Sequence, residues 1–232
     1  MRALGIETAT SIASVGIVVG DQIAAERTVP MRGSHARTLL PLIDATLQAA
    51  GLPLSEIELL AVSIGPGSFT GLRIGLSVVK GLALATGIPV VGVPTLEAYA
   101  RAAGPRLGLV CPVLDARKGE VYGASFRWRD GEPQCLTAPT AMSPARFATA
   151  VHEEPCTLIG DGVDAYHELW RAAFGVRAEL IRFSVLPPSG AVVARLGCRR
   201  AAAAIDDVAA LEPQYCRASE AEIGQQRRGA SA

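Results

Sequence analysis

Two acidic side chains, Glu7 and Asp115, occupy positions from which they could do chemistry, because each ends a short apolar run typical of a β-strand. Carboxylates placed in this way can hold magnesium or exchange protons with a substrate. Thr8 and Arg117, which lie just after them, are the candidate contacts for an anionic ligand in the same cleft. The segments after both strands lack the glycines that let a backbone approach a phosphate. The carboxylates suggest a nucleotide-dependent phosphotransferase or hydrolase. Because the phosphate-binding glycines are lacking, this enzyme is our second hypothesis, ranked below a non-catalytic role.

Other catalytic and metal-binding patterns fail on their spacing. The segment Gly65-Pro66-Gly67-Ser68-Phe69-Thr70-Gly71 is one residue out of register for a dinucleotide loop and lacks the lysine end of a P-loop. Its serine is not framed as a nucleophile elbow. The three histidines are scattered and the five cysteines form no CxxC pair, which disfavours a zinc site and a disulfide framework. Apart from the second hypothesis, these patterns indicate no catalytic residue, no metal and no cofactor.

The composition narrows the function classes further. The chain has 232 residues, half of them hydrophobic, with 22 basic and 22 acidic side chains and no net charge. A neutral protein has no overall field to attract nucleic acid, so a protein that grips RNA by itself is disfavoured. The apolar run at residues 12–20 is too short to span a bilayer. We expect a soluble, cytoplasmic protein.

Apolar periodicity and turn residues predict the same order of elements in both halves of the chain. The leading strands of each half are joined by tight turns, and the later strands alternate with helices. The predicted strands are 4–7, 14–19, 22–29, 59–64, 88–93, 109–115, 120–128, a weaker one near Cys135, 157–159 and 179–182. The predicted helices are 35–50, 70–86, 95–103, 143–152, 164–174 and 189–204.

This duplicated order is typical of one fold class. Antiparallel leading strands followed by parallel ones, built twice, indicate an α/β protein with the duplicated actin-like fold (ASKHA, ribonuclease H-like), which has two lobes with mixed sheets. Each first strand ends on a carboxylate, and each fourth strand ends on a Gly-x-Gly loop, Gly65-Pro66-Gly67 or Gly160-Asp161-Gly162. We predict a first lobe at 1–104, a second lobe at 105–232 and a disordered tail from about residue 220.

The helix predicted at 70–86 is unusually apolar. Nine of its seventeen residues are apolar and point in nearly every direction, and only Arg73, Ser77 and Lys80 form a polar stripe. Such a helix must be covered on both sides, and one lobe has too little chain to do so, which points to a neighbouring subunit. Gly71 and Gly75 lie on one face, where they would admit another backbone. Packing of these glycines against the lobe's own sheet stays open as the alternative.

The predicted partner interface combines this helix with its amphipathic neighbour at 35–50. Apolar side chains would supply the buried area and cations would mark the rim. Leu76→Asp is then expected to abolish dimerisation and leave the monomer folded. The predicted interface residues are His35, Leu39, Ile43, Gly67, Ser68, Phe69, Thr70, Gly71, Leu72, Arg73, Gly75, Leu76, Val79 and Lys80.

The same motifs carry a resemblance to a known family. Residues 65–75, preceded by residues 35–41 and followed by residues 115–122, closely resemble the TsaB family, also called YeaZ. Residues 212–217 are similar to that family's P-x-Y-x-R ending. The resemblance covers essentially the whole chain.

The resemblance implies a non-catalytic subunit. TsaB-like proteins are similar in fold to the catalytic TsaD subunit and dimerise with it through the first lobe. With the ATPase TsaE, that assembly transfers a threonylcarbamoyl group to the adenosine next to the anticodon of tRNAs reading codons that begin with A. His35 would be a relic of the TsaD metal motif, with Leu39 in place of its mate. Alone, the chain would form a homodimer and meet tRNA only through the complex, and nucleotide binding at a subunit junction stays open.

Overall fold

The computed structural model of the chain describes residues 1–31, 35–151, 154–203 and 208–216. Two features singled out in the sequence, Arg217 of the C-terminal motif and the tail from about residue 220, lie outside these ranges. The backbone of His35 is described and its side chain is not. The predictions on these parts of the chain stay predictions.

The first lobe is a five-stranded mixed sheet with helices packed on it. The strand order is β3-β2-β1-β4-β5, with β2 antiparallel to β1 and β3, and β4 parallel to β1 and β5. A left-handed Gly20 makes the turn between β2 and β3. The strands are β1 (Arg2–Glu7), β2 (Ile12–Val19), β3 (Gln22–Pro30), β4 (Leu59–Gly65) and β5 (Val90–Pro94), and the helices are α1 (His35–Ala50), α2 (Phe69–Thr86) and α3 (Thr95–Ala103).

The second lobe repeats this sheet. Its strand order, β8-β7-β6-β9-β10, again places an antiparallel hairpin on one side of a central strand and parallel strands on the other. The elements are β6 (Leu109–Arg117), β7 (Glu120–Arg129), β8 (Glu132–Met142), α4 (Pro144–Val151), β9 (Cys156–Ile159), α5 (Asp161–Ala165), α6 (His167–Phe174), β10 (Ala178–Leu180) and α7 (Gly190–Arg199). The predicted duplicated two-lobe fold with mixed sheets is confirmed.

Several local predictions differ from the structure. The helix predicted at 189–204 ends at Arg199 in α7. The helix predicted at 164–174 is divided at Tyr166 into α5 and α6. The strand near Cys135 is a full eleven-residue strand, because it pairs along the length of β7. At the start of α3, the Thr95 hydroxyl accepts a hydrogen bond from the Gly65 amide (3.1 Å). That bond ties the start of α3 to the end of β4.

The last helix corrects the predicted second lobe at 105–232. Helix α7 packs on β1, β2 and β4 of the first sheet. A Cβ on Gly5 or Gly16 would collide with the α7 backbone, so the helix can pack directly on the sheet only because these two strand positions are glycines. Val208 and Leu211 are also buried in the core of the first lobe. The described chain from Gly190 onward therefore completes the first lobe, a return that no local sequence pattern indicated.

Candidate functional site

The glycine-rich loop after β4 fixes the start of α2. Ser68 caps the helix, because its side chain accepts a hydrogen bond from the Gly71 amide (3.2 Å). The Ser68 amide donates to the Ala9 carbonyl (2.7 Å), and a Cβ on Gly67 would lie 2.5 Å from that same oxygen. The loop is thus pressed onto the segment that follows β1, and α2 leaves it in one fixed direction.

Gly71 and Gly75 continue this close packing along the inner face of α2. A Cβ on Gly71 would collide with the Thr8 carbonyl, and a Cβ on Gly75 would collide with the Thr8 hydroxyl. The alternative left open by the sequence, packing within the lobe itself, is therefore correct for both glycines. Thr8 is fully buried, and its hydroxyl has no hydrogen-bond partner among the described residues. Its predicted role as a cleft contact is wrong, because it lies beneath α2.

The predicted apolar interface residues face the core of their own lobe. Five of them are at most 4% exposed: Leu39, Ile43, Leu72, Leu76 and Val79. A partner could reach these side chains only if the lobe opened, so they are corrected from interface residues to core residues. The sequence could not separate the two roles, because an all-round apolar helix does not reveal which stripe meets the sheet.

The opposite face of α2 carries a stripe of exposed residues, which we call the outer stripe. Its members recur every three or four positions, as expected for one helix face. They are Thr70, Arg73, Ser77, Gly81 and Leu84. Leu84 is 77% exposed, and Ile74, Val78 and Leu82 flank the stripe as half-buried apolar side chains. Apart from its chain neighbours and the adjacent backbone of α2, no described atom lies within 4 Å of a Cβ placed on Gly81.

This mixture of burial explains the composition of α2. The helix is long and apolar enough to suit a membrane span by length and composition alone, with a third of it buried in the lobe. The same composition is expected of a helix covered by its own lobe on one side and by another protein on the other. Gly81 adds to this view, because a mid-helix glycine costs about 1 kcal/mol and this one has no packing role within the described chain.

An aromatic and cationic cluster ends the outer stripe at the start of α2. Phe69 and Tyr215 stack with ring centroids 5.0 Å apart, and the Arg73 guanidinium carbon lies 4.0 Å from the Phe69 centroid. Arg73 Nε donates to the Tyr215 hydroxyl (3.1 Å). Tyr215 belongs to the segment that returns after α7, so two distant parts of the chain build this cluster. All three residues were singled out in the sequence, but their contact with one another was not predicted.

The cleft residue Glu7 is buried and internally satisfied. Its carboxylate accepts one hydrogen bond from the Ala9 amide (2.6 Å) and another from the Ser63 hydroxyl. Burial raises the pKa of Glu7 to about 7, although both hydrogen bonds act to lower it. A carboxylate that is 1% exposed with both oxygens engaged is a poor ligand for a magnesium ion from solution.

The second carboxylate, Asp115, is also engaged. Its side chain accepts from the Arg117 amide (2.8 Å) and pairs with the Arg117 guanidinium (3.1 Å). The Asp115 amide donates to the carboxylate of Asp161 (2.9 Å), a residue that the sequence analysis missed as a site residue. Burial raises the pKa of Asp161 to about 6, although the hydrogen bond from the Asp115 amide acts to lower it; the charge of Asp115 adds a smaller increase. Its place in the Gly160-Asp161-Gly162 loop was the signal that could have identified it.

The cleft therefore holds a group of acidic side chains that are bonded to the protein itself. Tyr99 lies near these carboxyl groups, but its hydroxyl has no hydrogen-bond partner among the described residues. Burial raises the pKa of this hydroxyl, and the charges of Glu7 and Asp161 add to the effect. Across the described ranges, no three His, Cys, Asp or Glu side chains are grouped so that they could hold a metal ion. The pairing of Glu7 with Asp115 as a magnesium site, which our second hypothesis requires, finds no support in this geometry.

Comparisons with known proteins agree with the fold and the motifs. The family model described as "TsaD: tRNA N6-adenosine threonylcarbamoyltransferase" matches residues 29–225. The tRNA threonylcarbamoyladenosine biosynthesis protein TsaB of Bacillus subtilis is 26% identical over 96% of both chains. The protein of the same name from Escherichia coli is 35% identical over 70% of both chains. Among solved structures, YeaZ from Pseudomonas aeruginosa superposes with a TM-score of 0.76 and 27% identity, over 92% of this chain and 99% of that one.

Proposed function

We infer the function of this chain from its family, because it belongs to the TsaB family, also called YeaZ, within the wider group described by the TsaD model. A relative that matches 96% of the chain, and two that match 70% and 72% of it, are named for tRNA threonylcarbamoyladenosine biosynthesis. We assign the chain to the same biosynthesis, in the cytoplasm.

Within that biosynthesis we propose that the chain is a non-catalytic partner subunit. It would bind a TsaD-like catalytic subunit and act with a TsaE-like ATPase, and tRNA would be met only by the assembled complex. The exposed outer stripe of α2 carries this proposal, since half-buried apolar residues flank it and a glycine opens it to close approach. The chain itself matches the TsaD model, so two proteins of one fold could pair through equivalent surfaces. A second copy of the chain would occupy the stripe when the catalytic subunit is absent.

One pair of variants tests this interface. Leu84→Asp places a carboxylate in the stripe and should leave the chain folded while weakening binding to the TsaD-like subunit at least tenfold, measured by calorimetric titration. Val176→Asp, a change at a fully exposed position of the second lobe, is the matched control and should bind normally. Unchanged binding by Leu84→Asp would remove the interface from the proposal. If the TsaD-like subunit does not bind the wild-type chain at all, a purely homodimeric protein is indicated.

The competing function is nucleotide turnover in the interlobe cleft. The raised pKa values of Glu7 and Asp161 favour it, because perturbed carboxylates cluster at active sites. The same residues are engaged with the protein, which favours a structural role. ATP hydrolysis by the isolated chain that is lost in Glu7→Gln would establish this alternative.

A further inference from the structure

Arg73 is held in one orientation on the exposed face of α2. Its guanidinium lies over the Phe69 ring at 4.0 Å, and its Nε donates to the Tyr215 hydroxyl at 3.1 Å. Arginine has a planar fork of donors, and Nε is only one of them, so the outward end of the fork keeps donors that suit a carboxylate. A side chain fixed in advance loses less conformational freedom when it binds. Arg73 is therefore pre-organised to bind a carboxylate.

The Tyr215 ring is itself fixed by the segment that carries it. The Gln214 amide donates to the Ile64 carbonyl (2.7 Å), and a Cβ on Gly65 would lie 2.5 Å from the Gln214 carbonyl. Leu211, four residues before Tyr215, is only 4% exposed and is part of the first-lobe core. The segment therefore packs closely against the end of β4, and this contact positions Tyr215 at the start of the outer stripe.

The charge of α2 indicates the chemistry of its occupant. Arg73 is the exposed ionisable side chain of this helix, and it is cationic. If a second copy used the same helix, it would bring a second Arg73 to the junction, and like charges oppose pairing. A partner with an acidic side chain at this place would instead form a charge-assisted hydrogen bond.

We propose that Arg73, positioned by Phe69 and Tyr215, is the anchor that receives a carboxylate of the catalytic partner subunit and favours that subunit over a second copy of this chain. The proposal rests on the proposed function, since it places the same partner on the outer stripe. It adds that the C-terminal segment, through Tyr215, is a positioning part of the interface.

The test measures affinity for the TsaD-like subunit at low and high salt. Arg73→Ala should weaken binding by roughly tenfold or more and flatten the salt dependence, because a screened ion pair is lost. Tyr215→Phe keeps the ring stack and removes the hydroxyl, so binding should weaken by only about two- to fivefold. Tyr215→Ala removes both contacts and should approach the effect of Arg73→Ala. Arg129→Ala, which removes an exposed arginine of the second lobe, is the control and should change nothing.

Two results separate this proposal from the proposed function. If Leu84→Asp weakens binding and Arg73→Ala binds with wild-type affinity and salt dependence, the interface stands and the anchor is overturned. If neither variant affects binding, both are overturned. The preference for the partner is tested by sedimentation of the isolated chain: Arg73→Ala should self-associate at least as tightly as wild type, and weaker self-association would contradict the charge argument.

Discussion

At the scale of single residues, the ionisation of Glu7 is the property most open to measurement. In the unfolded chain this carboxyl should titrate near its ordinary value of 4.5, and burial raises its pKa to about 7 in the native protein. The native state therefore holds a proton that the unfolded state has released at intermediate pH. The contribution of Glu7 to stability is complete below about pH 4.5, is lost as pH rises to about 7, and is constant above that.

Glu7→Gln should remove this pH dependence. The amide cannot ionise, and it can still accept from the Ala9 amide and donate to the Ser63 hydroxyl. Relative to wild type, the variant should gain on the order of 3 kcal/mol of unfolding free energy between pH 5 and pH 8. Urea denaturation of both proteins at several pH values measures the difference. Parallel stability curves would show that Glu7 titrates normally. Asp161 remains in both proteins, so its own titration cancels apart from its charge interaction with Glu7.

The cleft shows what residue types and spacing can predict and what they cannot. The sequence predicted that the first strand of each half ends on a carboxylate. Strand β1 does end at Glu7, whereas β6 continues two residues beyond Asp115, to Arg117. The sequence could not reveal that Ser63, from the neighbouring strand, satisfies Glu7, because that contact depends on how β1 and β4 pair. Asp161 was missed for a similar reason. Its carboxylate accepts a hydrogen bond from the amide of Asp115, which lies 46 residues earlier in the chain.

At the scale of elements, periodicity predicted the helices well and their faces poorly. Helix α1 has the predicted bounds, and α2 begins one residue before the predicted start. The assignment of faces failed on α2 because apolar residues surround it, and only the position of β4 and α1 decides which of them are buried. Leu76→Asp is accordingly expected to unfold the first lobe, in place of the folded monomer that the sequence suggested.

Two glycines of α2, one on its buried face and one on its exposed face, give a test of which face meets the lobe. Gly75→Ala should destabilise the chain by about 1–3 kcal/mol, because the added methyl group meets the Thr8 hydroxyl. Gly81→Ala faces open space and should stabilise it by about 0.5–1 kcal/mol through helix propensity. Thermal or urea unfolding measures both. In a Thr8→Ala background the cost of Gly75→Ala should largely vanish, since the colliding hydroxyl is gone. A similar sign for the two glycine variants would contradict the assignment.

At the scale of the whole molecule, the chain closes its first lobe with its last described segment. Helix α7 covers the face of the first sheet opposite α1 and α2, and its residues Ala191, Val193 and Ala194 are fully buried there. A hydrogen-bonded clasp holds its start, since Glu26 of β3 accepts from the Ser189 hydroxyl (2.7 Å) and from the Ala191 amide (3.0 Å). The two lobes are therefore not successive in sequence, and α3, which packs against both β4 and β6, joins them.

This closure makes the stability of the first lobe depend on residues that follow the second. A fragment of residues 1–104 contains all five strands of the first sheet but leaves Ala3, Val18 and Leu59 uncovered. It should lack cooperative thermal unfolding and a dispersed amide NMR spectrum. Joining residues 189–216 to residue 104 through a flexible glycine-serine linker should restore cooperative unfolding and a dispersed spectrum. The reason is that α7 and Leu211 can again pack against the first sheet. The same fusion with Ala194→Asp, which places a carboxylate against Gly5, is the control and should stay unfolded. A cooperatively folded 1–104 fragment would show instead that the first lobe folds without α7.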